Sequence, residues 1–169
     1  MALPRKLKHF NTFVDGNGYA GETKEVTLPK LSRKMEEYRG GGMDGPISID
    51  MGQEKLELEA TYGGLMRDIL KGYGALKHDA VLIRFAGAYQ REDSGDVDSV
   101  EIVVRGRHQE IDMGTAKAGD DSDFKVKSAL SYYKLMVNGA TAIEIDLASM
   151  VLVVDGEDRL AKHRKAIGI

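Results

Sequence analysis

The chain has no cysteine and no tryptophan among its 169 residues, only 3 prolines, and aromatic residues at 7%. The lack of thiols excludes cysteine-ligated zinc, iron–sulfur clusters, thiol nucleophiles and a disulfide framework, and it permits a reducing compartment. Long apolar runs are missing as well. The longest is Met150 to Val154, against the ~20 residues that a membrane-spanning helix needs. The first residues, MALPRKLKHF, are basic with no apolar stretch behind them. No leader and no membrane insertion are therefore expected, and the chain is expected to stay in the cytosol where it is made unless something larger carries it out. Nor is there a dominant charge: 24 Lys+Arg against 27 Asp+Glu give −3 at pH 7. That is too near neutral for a surface that wraps a nucleic-acid backbone as a whole, and it leaves room only for a local basic face.

What is present is 42% hydrophobic and 30% charged residues with 20 glycines, the composition of one globular domain spanning 1–169. A chain of this length buries ~70% of its unfolded surface and needs no staple. Charge is dealt unevenly. Residues 1–39 carry 8 basic and 5 acidic side chains, whereas residues 92–123 carry 10 acidic and 3 basic ones. Taken singly, each block reads as a solvated surface.

Periodicity is mostly that of strands. PISIDM alternates Ile47, Ile49 and Met51 against Ser48 and Asp50, and KLELEATY alternates Leu56, Leu58, Ala60 and Tyr62 against Lys55, Glu57, Glu59 and Thr61. Joined by Gly52-Gln53, the two runs read as a hairpin with a type II′ turn. Val81–Tyr89 and Val97–Arg107 form a second expected pair across REDSGD, and Phe124–Val137 with Ala142–Leu147 a third across Asn138-Gly139. Further strands are expected at Leu31–Tyr38 and Val151–Val154.

Helix is scarce. Leu65, Met66, Ile69, Leu70 and Tyr73 share a helical face between glycines, which predicts a helix of about three turns. A short C-terminal helix is expected over Asp158–Ile167, with Asp158 as N-cap and Gly168 behind it. The expected fold is a sandwich or barrel of antiparallel strands with one packed helix and a short C-terminal one. The stretch RGGGMDGP, Arg39–Pro46, cannot support a strand, and from composition alone it reads as a mobile loop.

Candidate chemistry is thin. Gly16, Gly18 and Gly21 spell G-x-G-x-x-G, but the following ETKEVTLPKL is β-rich and interrupted by Pro29, with no helix to meet a pyrophosphate. A turn on Asp15-Gly16-Asn17-Gly18 is the favoured reading. His9, His78, His108 and His163 are scattered, without ligand spacing. Asp93, Asp96 and Asp98 resemble a calcium loop only in charge, since Gly95 and Val97 stand where oxygen ligands belong. Arg105, Arg107 and His108 form a cluster that reads as the outer face of a strand pairing with nearby acids rather than as a phosphate grip. No nucleophile elbow, zincin or P-loop string occurs. No enzyme, metal or cofactor is expected.

As a whole the strings are recognisable. MALPRKLKHFNTFVDGNGYAG, TLPKLSRKMEEYRGGGMDGPISIDMG, YQREDSGDVDSVEIVVRGRHQEIDMGTAKAGDD, SYYKLMVNG and VVDGEDRLAKHRKAIGI run from residue 1 to 169 in order. Together they closely resemble the major tail tube protein of contractile-tailed bacteriophages, a family shared with the tube subunits of R-type pyocins. The most specific parts are TLPKL followed by YRGGGM, and YYK before an N-G turn.

The resemblance implies two antiparallel sheets packed near-orthogonally into a barrel-like fold with a flanking helix and long loops. It implies six subunits closing into a ring, and rings stacking into the inner tube beneath the contractile sheath. Implied partners are further copies of the chain, the sheath protein, the tape measure protein, the baseplate hub and the tail terminator, with DNA passing through without specific binding. The implied location is the virion tail, after assembly in the host cytoplasm. The nearest rival role is a tube of a headless pyocin-like particle or a type VI-like secreted tube.

On that footing Arg39, Gly40, Gly41, Gly42, Met43 and Asp44 are expected to form an inter-subunit loop, mobile in the free subunit. The polar face of the Ile47–Tyr62 hairpin, with Asp50, Lys55, Glu57 and Glu59, is expected to face the bore. Its net charge of −2 would repel phosphate.

Overall fold

The computed structural model describes residues 1–169. The chain begins with β1 (Arg5–Val14), which turns through Asp15-Gly16 into the two-residue β2 (Asn17–Gly18). Both turn residues have positive φ, 49° and 85°, the signature of a type I′ hairpin, for which Asx-Gly is the favoured pair. The G-x-G-x-x-G string is thus a turn, as its context predicts. Next come β3 (Thr23–Thr27), β4 (Arg33–Tyr38), β5 (Ile47–Gln53) and β6 (Leu56–Tyr62), followed by α1 (Arg67–Leu70). The remaining strands are β7 (Val81–Arg91), β8 (Val97–Asp112), β9 (Phe124–Val137), β10 (Ala140–Asp146), β11 (Val151–Val154) and β12 (Glu157–Asp158), before α2 (Ala161–Ile167). The β9–β10 and β11–β12 connections, Asn138-Gly139 and Asp155-Gly156, repeat the type I′ device.

Ten strands form one antiparallel sheet in the order β12-β11-β10-β9-β8-β7-β1-β2, with β3 joined through β6 to β9. Strand β9 changes partner along its length: it pairs with β6 from Phe124 to Leu130 and with β10 from Tyr132 to Val137. Of two register shifts between β8 and β9, the one at Arg105/Gly106 falls at the level of that change and the one at His108/Glu110 lies opposite the β6-paired half. Such bulges bend a strand and increase its twist, and here they let one pair of long strands serve both halves of the sheet.

The core lies on the inner face. Leu56, Leu58, Ala60 and Tyr62 of β6 are only 1–4% exposed, and Tyr62 packs edge-on against Tyr19 and Phe124, with centroids 5.8 and 6.3 Å away. Val81, Ile83 and Phe85 of β7, Ile102 and Val104 of β8 and Val126 and Leu130 of β9 complete it. Each such side chain contributes about 1.5–3 kcal/mol on burial.

Four expectations need correction. First, the Ile47–Tyr62 hairpin does not form. β5 pairs with β4 as a separate two-stranded sheet, while β6 pairs with β3 and β9. Alternation marks a strand without naming its partner. Near the end of β5 the chain is turned away by Gly52, with φ 118°, whose N–H donates to the Asp50 carboxylate at 2.8 Å. Second, the mainly β fold has two antiparallel sheets as expected, one of ten strands and one of two, but they do not close into a barrel. β1 and β3 meet at their ends through the Thr12 and Thr23 hydroxyls, 2.6 Å apart, but no ladder joins them.

Third, α1 covers only Arg67–Leu70. Gly72 and Tyr73 donate to Ile69 and Leu70, three residues back, in tight turns that end the helix. Fourth, Asp158 does not cap α2, which starts at Ala161. It ends β12, and its carboxylate accepts from Leu160 N at 3.0 Å and from the Arg164 guanidinium. Gly168 closes that helix with φ 81°, as expected.

Candidate assembly surfaces

The β4–β5 hairpin stands off the main sheet as an arm whose strands pair only with each other. Directly opposed residues share a face of a two-stranded ribbon. The pairs Tyr38↔Ile47 and Glu36↔Ile49 therefore place Tyr38, Ile47 and Ile49 on one face together with Glu36, with Met51 two residues on. The other face carries Met35↔Asp50 and Glu37↔Ser48. The apolar face has no cover within the chain: Tyr38, Ile47, Ile49 and Met51 are 55, 53, 40 and 54% exposed. Contiguous exposed apolar surface of this kind marks an interaction site.

The arm's tip is the expected loop. Arg39 Nε donates to the Met43 carbonyl at 3.2 Å, Met43 N donates to the Gly40 carbonyl at 3.3 Å, and Gly42 takes a φ of 86°. Gly40 N donates to Met43 Sδ at 3.1 Å, and Gly41 and Asp44 complete the loop, so Arg39 to Asp44 form a turn held by one backbone hydrogen bond and by the Arg39 and Met43 side chains.

The structure brings together only part of the expected bore-facing set. Lys55, Glu57 and Glu59 line one shallow depression with Lys30 and Lys127. Glu57 pairs with Lys55 and, at 3.2 Å, with Lys127, while Glu59 lies opposite Lys127 in register. The Lys55 hydrogen bond, then Lys127, hold the Glu57 carboxyl below the usual carboxylate range. Asp50 lies apart on the arm, paired with Arg33 at 2.8 Å. Arg33 first, then the Gly52 N–H, keep its carboxyl low.

The uneven charge blocks are reconciled by topology. β1 runs beside the β7–β8 turn, so Arg5 pairs with Asp98, Lys8 with Glu92, and Leu3 N donates to Asp93 at 3.2 Å. Lys24 likewise reaches Asp121 and Asp123. This explains how a basic N-terminus becomes a strand, which alternation alone did not reveal.

The Arg105–His108 cluster is split by the strand. Arg105 and Arg107 point outward and pair with no carboxylate, contrary to expectation, whereas His108 points inward and is buried. His78 Nδ1 lies 2.8 Å from Ser131 Oγ, but no carboxylate hydrogen-bonds its other nitrogen, so a triad's third member is missing.

Open sheet edges and an apolar arm without an internal partner are the attributes of a subunit made to join others. Known proteins agree. The chain is 46% identical over 172 residues to the tail tube protein of Escherichia phage P2, covering 100% of both. It is 38% identical over 160 residues to the major tail tube protein of Serratia phage KSP20, covering 94% of this chain and 92% of that one. The chain belongs to the family of phage tail tube protein FII, whose pattern it matches over residues 4–168. It is a structural component of the virion tail and not an enzyme.

In fold it is similar to a subunit of the sheath-tube complex of the PVC extracellular contractile injection system in the extended state. The TM-score is 0.59 at 12% identity, over 79% of this chain and 91% of that one. A subunit of the anti-feeding prophage baseplate is similar at a TM-score of 0.51 and 10% identity, over 75% and 90%.

Proposed function

We propose that this chain is the inner-tube subunit of a contractile phage tail. As a single tail-tube domain, six copies close head-to-tail into a ring, and stacked rings form the conduit for DNA. The observation that carries this reading is the arm: its apolar face has no partner in its own chain. A second copy supplies the cover at no extra genetic cost, and a head-to-tail ring also pairs open strand edges such as the outer edges of β1 and β3. Four strands from each of six copies, at ~4.8 Å spacing and ~40° tilt, would enclose a bore on the order of 40 Å across, wide enough for duplex DNA.

Lys55, Glu57 and Glu59 face that bore in this reading, with Asp50 of the arm near its wall. Their ion pairs leave carboxylates and ammonium groups interleaved. A surface of that kind offers phosphate no unpaired cationic track and lets DNA slide. The Arg39–Asp44 loop lies between subunits, mobile while the subunit is free and ordered in the tube. The sheath, tape measure protein, baseplate hub and tail terminator are the partners expected of such a tube, with assembly in the host cytoplasm. Similarity to contractile injection system tubes favours, as second reading, the tube of a headless or secreted particle. Native mass spectrometry of assembled material tests the ring directly. Multiples of six subunit masses support it, and any other closed stoichiometry refutes it.

A further inference from the structure

The histidine at the bend of β8 is the one buried histidine of the chain, and the proposed assembly does not use it. His108 is 7% exposed, and its Nδ1 lies 3.1 Å from the hydroxyl of Ser128, itself 1% exposed on β9. Its Nε2 is buried and has no hydrogen-bonding partner. The wall in front of Nε2 is Gly72, where even a methyl group would sit 3.0 Å from that nitrogen and 3.3 Å from Val81 Cγ2. Next to it, Tyr73 makes an isolated parallel bridge with His108. Gly72 and Tyr73 belong to the Gly63–Ala80 stretch. In those residues the only regular element is α1, and the chain holds to the sheet through Met66, Ile69, Leu70, this bridge and the hydrogen bond of 2.8 Å between His78 Nδ1 and Ser131 Oγ.

We propose that His108 is an acid-sensitive latch for this stretch: when its imidazole gains a second proton, residues 63–80 release from the sheet. The neutral ring satisfies one nitrogen through Ser128 and tolerates the other against an apolar wall. The charged ring must place an N–H donor on Nε2, facing Gly72, where no acceptor stands. A buried charged donor without a partner is far costlier than the neutral ring, and the cheapest relief is to move the wall.

The surrounding groups give little help. β9 contributes Ser128 and β7 contributes Val81; the β1–β2 turn contributes Asp15, and the α1 stretch contributes Tyr73 with Asp68 and Lys71, which pair with each other at 3.1 Å. Burial pushes the His108 imidazole below the ordinary histidine value, and Asp15 opposes this only partly. A histidine whose value is depressed in the closed state favours the open state as pH falls below the ordinary value of about 6.5.

Hydrogen exchange followed by mass spectrometry, corrected for intrinsic rates, tests this on the full chain between pH 7.5 and 5.0. Opening of residues 63–80 should rise about tenfold while the β9–β10 hairpin is unchanged, and His108→Gln should abolish the rise. A flat parent profile, or the same rise in H108Q, overturns the latch. Should H108Q fail to fold, Asp15→Asn decides. Asparagine suits the φ of 49° and can still accept from Leu82 N. Without the Asp15 charge the closed imidazole is depressed further, so opening at pH 5.0 should exceed the parent's, and opening equal to or below the parent's overturns the proposal.

Discussion

Gly106 on β8 and Ala129 on β9 approach so closely that a Cβ on the glycine would lie 2.1 Å from the Ala129 carbonyl oxygen. The contact involves backbone on both sides, at the level where β9 exchanges β6 for β10. No side-chain rotation can relieve it. Gly106→Ala should therefore unfold the bend at a cost of about 3 kcal/mol or more, at the upper end of what overpacking does. Urea denaturation followed by circular dichroism checks this, with Gly41→Ala at the open arm tip as the control that changes stability little.

Much of this architecture is legible in sequence because local chemistry dictates it. Asn138-Gly139 and the acidic REDSGD turn are flanked by alternating runs, and the β9–β10 and β7–β8 hairpins follow. Partner choice is another matter. Ile47, Ile49 and Met51 alternate as cleanly as Leu56, Leu58 and Ala60, yet the first set is exposed and the second is core. A strand whose apolar face is left exposed in the subunit has the same pattern as one that buries it in the core. Only the three-dimensional pairing separates them, and it does so by showing β5 held to β4 alone. β1 was hidden for the opposite reason: Arg5, Lys6, Lys8 and His9 obscure its alternation, and their role is visible only beside the β7–β8 carboxylates.

The C-terminal helix is fastened by one acid-labile clasp. Asp158 holds Arg164, which also donates to the Met150 carbonyl at 2.8 Å. The Arg164 hydrogen bond, then that from Leu160 N, lowers the Asp158 carboxyl. A depressed carboxylate contributes stability that is present above its unfolded value, near 3.8, and is lost as pH falls through the folded one. Protection of residues 159–169 from hydrogen exchange should drop below about pH 4, and Asp158→Asn should show the low protection at every pH.

The arm tip gives a second exchange test. Ordering Arg39–Pro46 costs about 1–2 kcal/mol per backbone residue, and in the proposed tube the contacts of a neighbouring copy add to the loop's own hydrogen bonds in meeting that cost. Exchange in this stretch should be fast in free subunits and slow in tubes. Equal rates in both states would remove the loop from the interface.

Reversing charge at Glu57 and Glu59 probes the bore. Replacing both with Lys adds four charge units to each subunit beside Lys30, Lys55 and Lys127. Lost ion pairs at these half-exposed positions should cost about 1 kcal/mol, so tails should still form. DNA should leave them slowly, with partial rescue at high salt, because a cationic channel binds phosphate by counterion release. Ejection rate against salt is the measurement, and unchanged rates in well-formed mutant tails would show that these carboxylates point elsewhere.

In the proposed tube the arm's apolar face is covered by another copy of the chain. Negative-stain microscopy of purified protein at high concentration, beside an Ile47→Ser, Ile49→Ser double variant, tests it most directly. The parent should form rings or hollow tubes, and the variant should stay dispersed while keeping the parent's β-dominated circular dichroism and melting temperature. A parent that remains monomeric at millimolar concentration, or a folded variant that assembles as well as the parent, would contradict the claim.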